Sequence, residues 1–207
     1  IDPESSATRR YLIEQLTRDA WWTLCEKLEL RRIMSIKACA ELDEQLTKGK
    51  LPPITEANVI AFAENNWNQR NAMIVDAVKE VFSWLRPPNS KYKTNSELEI
   101  GPRVVLRYMV DLNFMSRTRF TVDYRDGQRL TCLENVFNML DGKGIVNKSH
   151  SSLLEIAIES TIGGSGETDL FEFKACKNRN LHLRFKRLDL LAKFNAMAGG
   201  TNLRPAR

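Results

Sequence analysis

A long amphipathic helix between two proline pairs constrains the fold more than any other feature of the sequence. After Pro52-Pro53, Thr55 can cap a run that ends before Pro87-Pro88, because proline disfavours helical backbone in the preceding residue. The apolar residues of this run recur at three- and four-residue spacing, which places them on one helical face. They are Ile60, Ala63, Trp67, Ile74, Ala77, Val78, Val81, Phe82 and Leu85. We expect a long central helix packed by shorter ones.

Capping residues predict several shorter helices. Asp19 and Ser35 are N-cap candidates, and the helix that follows Ser35 should end near Gly49. A further helix is expected from Ser151 or Ser152. The run LDLLAKFNAM near the carboxyl terminus is amphipathic and predicts a last helix.

The middle of the chain gives mixed signals. The segment RVVLRYMVDL follows Pro102. A proline in the first turn favours helix whereas the β-branched residues favour strand, and we interpret the segment as a helix. Phe120, Val122 and Tyr124 alternate with polar residues and predict a short strand before a turn at Asp126-Gly127.

The stretch FEFKACKNRNLHLRFKR, residues 171–187, predicts an antiparallel β-hairpin. Two apolar sets alternate with polar residues and should face one core: Phe171, Phe173 and Ala175, and Leu181, Leu183 and Phe185. A three-residue loop over 178–180 keeps both sets on the same face, with Asn180 in the left-handed conformation. The fold class expected from these elements is α+β, mainly helical, with this hairpin followed by a helix.

The expected register also defines a polar face. It places Glu172 opposite Lys186 and Lys174 opposite Arg184. Like charges directly across an antiparallel pair are destabilising, and an anion between Lys174 and Arg184 would relieve the repulsion. The alternative is that these cations keep an exposed strand from pairing with other strands.

Charge is concentrated at the carboxyl end of the chain. Residues 171–207 hold nine Lys and Arg but two Asp and Glu, whereas the whole chain has a formal net charge of +5. Such a local surplus of positive charge attracts polyanions, nucleic acid first. The candidate phosphate-binding residues are Lys174, Lys177, Arg179, Arg184, Lys186 and Arg187, with Lys91 and Lys93 as an extension of the same surface.

A catalytic interpretation rests on His182, which the expected register places opposite Cys176. A thiolate next to an imidazole can be nucleophilic, but a catalytic site also needs an orienting group and a pocket. A hydrolase or nuclease centred on His182 is therefore the third choice. The four cysteines form no CxxC pair, and we expect neither a metal site nor a cofactor.

Organisation and localisation follow from the ends of the chain and from its hydropathy. The sequence begins at Ile1, and we expect an N-terminal extension over 1–18, a single domain over 19–200 and a flexible tail over 201–207. No apolar run reaches the length of a membrane span. We expect a cytoplasmic protein that does not bind membranes.

Several segments are similar to one known family of bacterial and phage proteins. They are DAWWTLCEKLELRRIMSIKACAELDEQL (19–46), LPPITEANVIAFAENNWNQRNAMIVDAV (51–78), KYKTN (91–95) with GPRVVLRYMVD, LENVFNMLDGK (133–143) and FKACKNRNLHLRFKRLDLLAKFN (173–195). Together they resemble the domain of unknown function 4942 family over most of the chain. In the hairpin turn, Arg179 stands where relatives often carry glycine.

The resemblance implies a component of phages and other mobile elements, sometimes attached to adenine-specific DNA methyltransferases or encoded near toxin–antitoxin genes. It assigns no reaction. The chain has no Asp/Asn-Pro-Pro-Tyr/Phe motif, so we expect no methylation by the chain itself. The leading hypothesis is a non-enzymatic module that binds nucleic acid, DNA in particular. The runner-up is a protein-interaction module whose Trp-bearing helices bind a methyltransferase, a toxin or a second copy of the chain.

Overall fold

The fold is α+β, as the sequence predicts. It combines helices with a four-stranded antiparallel sheet, of which the sequence predicts one hairpin. In this computed structural model, residues 6–86, 99–143 and 151–199 are described. The helices are α1 (Ser6–Lys27), α2 (Ile36–Lys48), α3 (Glu56–Leu85), α4 (Tyr124–Leu140), α5 (Leu153–Ser160) and α6 (Leu188–Gly199), with a 3-10 turn at Leu30–Arg32. The strands are β1 (Arg103–Leu106), β2 (Asp111–Leu112), β3 (Phe120–Thr121), β4 (Ser165–Glu167), β5 (Phe171–Ala175) and β6 (Leu181–Phe185).

The chain divides into two compact units, residues 1–74 and 75–207, and the boundary falls inside α3. The domain boundaries expected from the sequence stay a prediction. Among the described residues, no helix has both the length and the apolar character needed to cross a membrane.

The expected long helix and two of the expected caps are confirmed. Thr55 Oγ1 accepts a hydrogen bond from the amide of Asn58 at 3.2 Å, and α3 ends at Leu85, before the proline pair. Ser35 Oγ accepts from the amide of Ala38 at 3.1 Å, and α2 ends at Lys48 with Gly49 as its C-cap. Each of these hydroxyls satisfies an amide that the first helical turn leaves without a backbone partner.

Trp21 organises the core of the first unit. Its ring meets Phe62 edge-on at 5.1 Å, and its Nε1 donates to the carbonyl of Pro52 at 2.8 Å. The expected N-cap at Asp19 is wrong, because α1 begins at Ser6 and continues through Asp19. Residues 6–18 contain neither proline nor glycine, so nothing stops the helix from extending toward the amino terminus.

The sheet of the second unit has the strand order β1–β6–β5–β4. The helix expected after Pro102 is wrong: Arg103–Leu106 forms β1 and pairs with β6, with Val104 opposite Leu183. The β-branched pair Val104 and Val105 suits a strand, and β6 supplies the backbone partner that the local sequence does not reveal.

One face of the sheet carries an aromatic core. The Phe137 ring, on α4, lies 5.1 to 5.5 Å from the rings of Phe171, Phe185 and Phe194. These contacts hold α4 and α6 against the sheet. The opposite face carries polar side chains, most of them exposed, and is the face for which the sequence predicts binding.

The turn expected at Asp126-Gly127 is also wrong, since both residues lie inside α4. Asp123 caps this helix by accepting from the amide of Asp126 at 3.0 Å. Gly127 has a packing role, because a Cβ there would lie 2.9 Å from Glu155 Oε1. Glycine therefore permits the close approach of α5 to α4.

The start of α5 is fixed twice. The helix expected from Ser151 or Ser152 is confirmed, with Ser152 as the cap that accepts from the amide of Glu155 at 3.0 Å. In addition, the buried Glu134 accepts from the amide of Leu153 at 2.6 Å. Burial is the main cause that raises the pKa of the Glu134 carboxyl, against the opposing effect of this hydrogen bond.

Candidate nucleic-acid interface

The β5–β6 hairpin exists, but its register differs from the expected one. Glu172 pairs with Arg184 and Lys174 with His182, so the expected pairs of Glu172 with Lys186 and Lys174 with Arg184 are wrong. Both registers keep the apolar side chains on the core face, because both preserve the two-residue alternation. The turn decides between them.

Arg179 sets the turn. It holds the left-handed conformation at φ 68°, which the sequence assigns to Asn180. The amide of Arg179 donates to Cys176 O at 2.9 Å, and the amide of Cys176 donates to Asn180 O at 2.9 Å. The three-residue loop is therefore 177–179, one position earlier than expected. This position favours glycine.

Four of the six candidate cations of the hairpin have carboxylate partners. Arg184 lies 3.1 Å from Glu172, Lys186 lies 3.1 Å from Glu167, and Arg179 binds Asp111 through two nitrogens at 2.6 and 2.8 Å. Arg187 has two carboxylate partners. These contacts compensate most of the positive charge that the sequence places on the polar face.

Arg187 joins the end of α4 to the start of α6. It lies 2.9 Å from Asp141 and 2.7 Å from Asp189. The hydrogen bond from Arg187 is the main cause that lowers the pKa of Asp189 to about 2, and a hydrogen bond from Lys143 is the main cause that lowers the pKa of Asp141. Arg187, Asp141, Lys143 and Asp189 thus form one ionic cluster.

Lys174 and Lys177 differ from the other four. Both are exposed, and no carboxylate of the described chain pairs with either. A third exposed cation is Arg103, which is not among the expected residues and lies directly opposite Arg184 on the sheet. Lys91 and Lys93 lie outside the described residues.

The Cys176–His182 opposition is wrong as well. His182 faces Lys174 across the hairpin and Val105 on the other side. Cys176 lies beyond the end of β5, where its Sγ is 3.9 Å from Lys174 O. Within the part of the chain that the structure describes, no group of three His, Cys, Asp or Glu side chains is arranged to hold a metal ion.

A second set of residues gathers at the end of the sheet where the β5–β6 turn lies. Tyr108 follows β1 and is left-handed at φ 57°, with 64% of its surface exposed. The Arg179 guanidinium lies 5.7 Å from the centre of the Tyr108 ring. The amide of Met109 donates to Arg179 O at 3.0 Å. Tyr108 and Arg179 are thus neighbours at this end of the sheet. Both have left-handed backbone, which is costly for a residue with a side chain.

The loop between β2 and β3, residues 113–119, presents apolar side chains to solvent. Phe114 is 100% exposed and Met115 is 94% exposed. The backbone of the loop is nevertheless well defined. Asn113 Oδ1 accepts from the amides of Met115 and Ser116 at 2.9 and 3.1 Å, and the amide of Asn113 donates to Arg119 O at 2.9 Å.

Contacts on both sides bring this loop to the same end of the sheet. Asp111, in β2, binds Arg179 of the β5–β6 turn. On the other side, the amide of Gly163 donates to Thr118 O at 2.8 Å, and the amide of Ala175 donates to Gly164 O at 2.7 Å. We call the resulting surface the loop end: Tyr108, the 113–119 loop and the 176–179 turn.

The loop end carries cations that lack carboxylate partners. Arg117 and Arg119 are exposed, and neither forms an ion pair with a described carboxylate. Together with Lys177 they place three positive charges without a described carboxylate partner on the loop end, which also carries the exposed Phe114 and Tyr108. The signal in the sequence is the run RYMVDLNFMSRTR, which holds three arginines, a tyrosine and a phenylalanine over 107–119.

Comparison with known proteins assigns the chain to a family. No curated protein and no solved structure matches it. The family model described as "Domain of unknown function (DUF4942)" matches residues 13–202. This match covers most of the 207 residues, so the chain belongs to the DUF4942 family.

Proposed function

We propose that this chain is a non-enzymatic nucleic-acid-binding module, an accessory domain of a phage or other mobile element, and that the loop end is its interface. The observation that carries the proposal is that Lys177, Arg117 and Arg119 are exposed at the same end of the sheet as the exposed Phe114 and Tyr108, with no ion pair to a described carboxylate. Phosphates would supply the missing counter-charge. DNA is the nucleic acid to test first.

Charge compensation separates the loop end from the rest of the hairpin. Arg184 and Lys186 each lie 3.1 Å from a glutamate, so a phosphate would have to compete with that carboxylate. Arg117 and Arg119 have no described carboxylate partner, so a phosphate that binds them has no carboxylate to displace. We therefore assign Lys177 of the expected residues to the interface and add Arg117 and Arg119. Lys174 lies at its edge, and so does Arg179, which Asp111 already compensates.

Salt dependence tests this proposal. Each neutralised phosphate contributes about 0.7 to the slope of log K against log salt for single strands and about 0.9 for duplex DNA. The triple variant Lys177→Ala, Arg117→Ala and Arg119→Ala should therefore lower the magnitude of the slope by about 2 to 3. Fluorescence anisotropy with labelled oligonucleotides over a salt series measures it.

A control of equal charge makes the test specific. The triple variant Lys37→Ala, Lys48→Ala and Lys79→Ala removes three exposed cations from α2 and α3, which should leave the slope unchanged. Equal losses in both triple variants would show that net charge alone drives binding. No binding at ~50 mM salt, where phosphate contacts are strong, would reject the proposal.

Protein interaction is the second candidate, supported by an exposed apolar surface in the first unit. Tyr11, Leu12 and Leu16 on α1 are 60%, 49% and 67% exposed. Leu16 also lines an open groove of about 530 Å³ together with Ile54. The partner would be a methyltransferase, a toxin or a second copy. Sedimentation of the chain and of Leu12→Glu/Leu16→Glu over a concentration series tests the last of these: a mass that does not rise with concentration excludes self-association.

A further inference from the structure

The Phe114 side chain has no role in the described fold. Its complete exposure means that it covers no core residue. A phenylalanine fully exposed to water forgoes the favourable free energy that burial of its ring would provide. Four hydrogen bonds of 2.9 to 3.1 Å join residues of the 113–119 loop to one another. They hold the backbone that carries the Phe114 ring.

The surroundings of Phe114 are cationic. Arg117 and Arg119 follow it in the same loop, and Asp111, three residues before it, is already bound to Arg179. Three residues span at most about 10 Å, so the backbone of Phe114 lies within that distance of Asp111, the partner of Arg179. An exposed ring on a loop with two cations, at the end of the sheet where a second aromatic ring is also exposed, matches a nucleic acid better than an apolar protein surface.

We infer that the loop end binds single-stranded nucleic acid by stacking a base on Phe114, with Tyr108 as a second stacking surface. This inference rests on the proposed function and adds the substrate class. The faces of bases are covered in a duplex but available in a single strand, where aromatic side chains and a cationic track commonly bind them. Arg117, Arg119 and Lys177 would contact the phosphates.

Substitutions at Phe114 test the stacking directly. Loss of one stacked base corresponds to about a 5- to 150-fold weaker affinity. We expect a loss in this range for Phe114→Ala with a short oligothymidine strand, and near-native affinity for Phe114→Tyr. Phe114→Leu keeps an apolar side chain but lacks an aromatic face, and it should bind as weakly as Phe114→Ala. Full exposure of the native ring makes all three variants compatible with folding, which circular dichroism checks.

The ligand supplies a matched control. A strand of equal length with abasic residues keeps the phosphates and removes the bases. It should bind the native chain at least as weakly as oligothymidine binds Phe114→Ala, because stacking on Tyr108 is lost as well. Phe114→Ala should cause no further loss on the abasic strand. An additive loss would show that Phe114 contacts something other than a base and would overturn the inference.

The two proposals fail in different ways. If single strand and duplex bind equally well and Phe114→Ala changes neither affinity, the stacking inference is wrong while phosphate binding stands. Binding that Phe114→Leu preserves would also overturn it, in favour of a purely apolar contact. If the native chain binds no nucleic acid at ~50 mM salt, both proposals are wrong.

Discussion

Gly164 fixes the position of the loop end, and its replacement by alanine should destabilise the second unit. At φ +72°, an alanine would pay about 1–2 kcal/mol for the left-handed conformation. Its Cβ would also lie 2.7 Å from Phe120 Cδ2 and 3.1 Å from Ala175 O. Overpacking of this kind costs about 1–3 kcal/mol more. The expected loss for Gly164→Ala is therefore about 2–5 kcal/mol.

The neighbouring glycine provides the control. Gly163 has φ +84°, but a Cβ there meets no atom within 4 Å. Gly163→Ala should therefore lose only the free energy that the left-handed backbone costs an alanine, about 1–2 kcal/mol. Native-state hydrogen exchange of the β5 and β6 amides measures the free energy of opening of this unit. If the two variants lose the same free energy, within about 0.5 kcal/mol, then Phe120 does not pack against Gly164 as described.

Two further predictions concern strain and pH. Tyr108→Gly should relieve the left-handed backbone and raise the free energy of unfolding by about 0.5–1 kcal/mol, while weakening binding of single strands; a fall in stability on urea denaturation would show that the ring packs onto the fold. Because burial raises the pKa of Glu134 above its usual 4.5, the folded chain binds this proton more tightly than the unfolded chain. Ionisation of Glu134 should therefore lower the free energy of unfolding as pH rises from about 4.5 through the folded-state pKa. The pH profile of the melting temperature should be flatter for Glu134→Gln, and an unchanged profile would contradict the burial of the charge.

Local signals in the sequence were sufficient to predict most helices. Ser35, Thr55 and Ser152 each offer a hydroxyl to the first turn of a helix, and prolines bound α3 on both sides. Such signals act between neighbours along the chain, so sequence alone reveals them. The N-cap expected at Asp19 is wrong because the residues before it contain no helix breaker. A capping residue inside such a run does not start a helix.

The sequence does not predict the features that depend on residues far apart along the chain. The segment from Arg103 becomes a strand because β6 supplies its hydrogen-bond partner, far along the chain. The hairpin register depends on whether Arg179 or Asn180 is left-handed, a choice that the alternation of apolar residues cannot make. The pairing of Arg179 with Asp111 likewise joins residues on different hairpins.

The candidate interface was only partly foreseen for the same reason. Lys177 and Arg179 belong to the expected set, whereas Phe114, Arg117 and Arg119 were missed because a β2–β3 hairpin was not expected. Their placement next to the β5–β6 turn follows from tertiary contacts through Gly163 and Gly164. The expected polar face, by contrast, is compensated by glutamates whose positions depend on the register.

Mapping the contact surface by NMR tests the central claim most directly. The isotope-labelled chain is titrated with a short oligothymidine strand at low salt, and amide shift changes are assigned by residue. We expect the largest changes at Tyr108, within 113–119 and within 176–179. Changes centred instead on Glu172, Arg184 and Lys186, or no changes at all, would contradict the assignment of the loop end as the nucleic-acid interface.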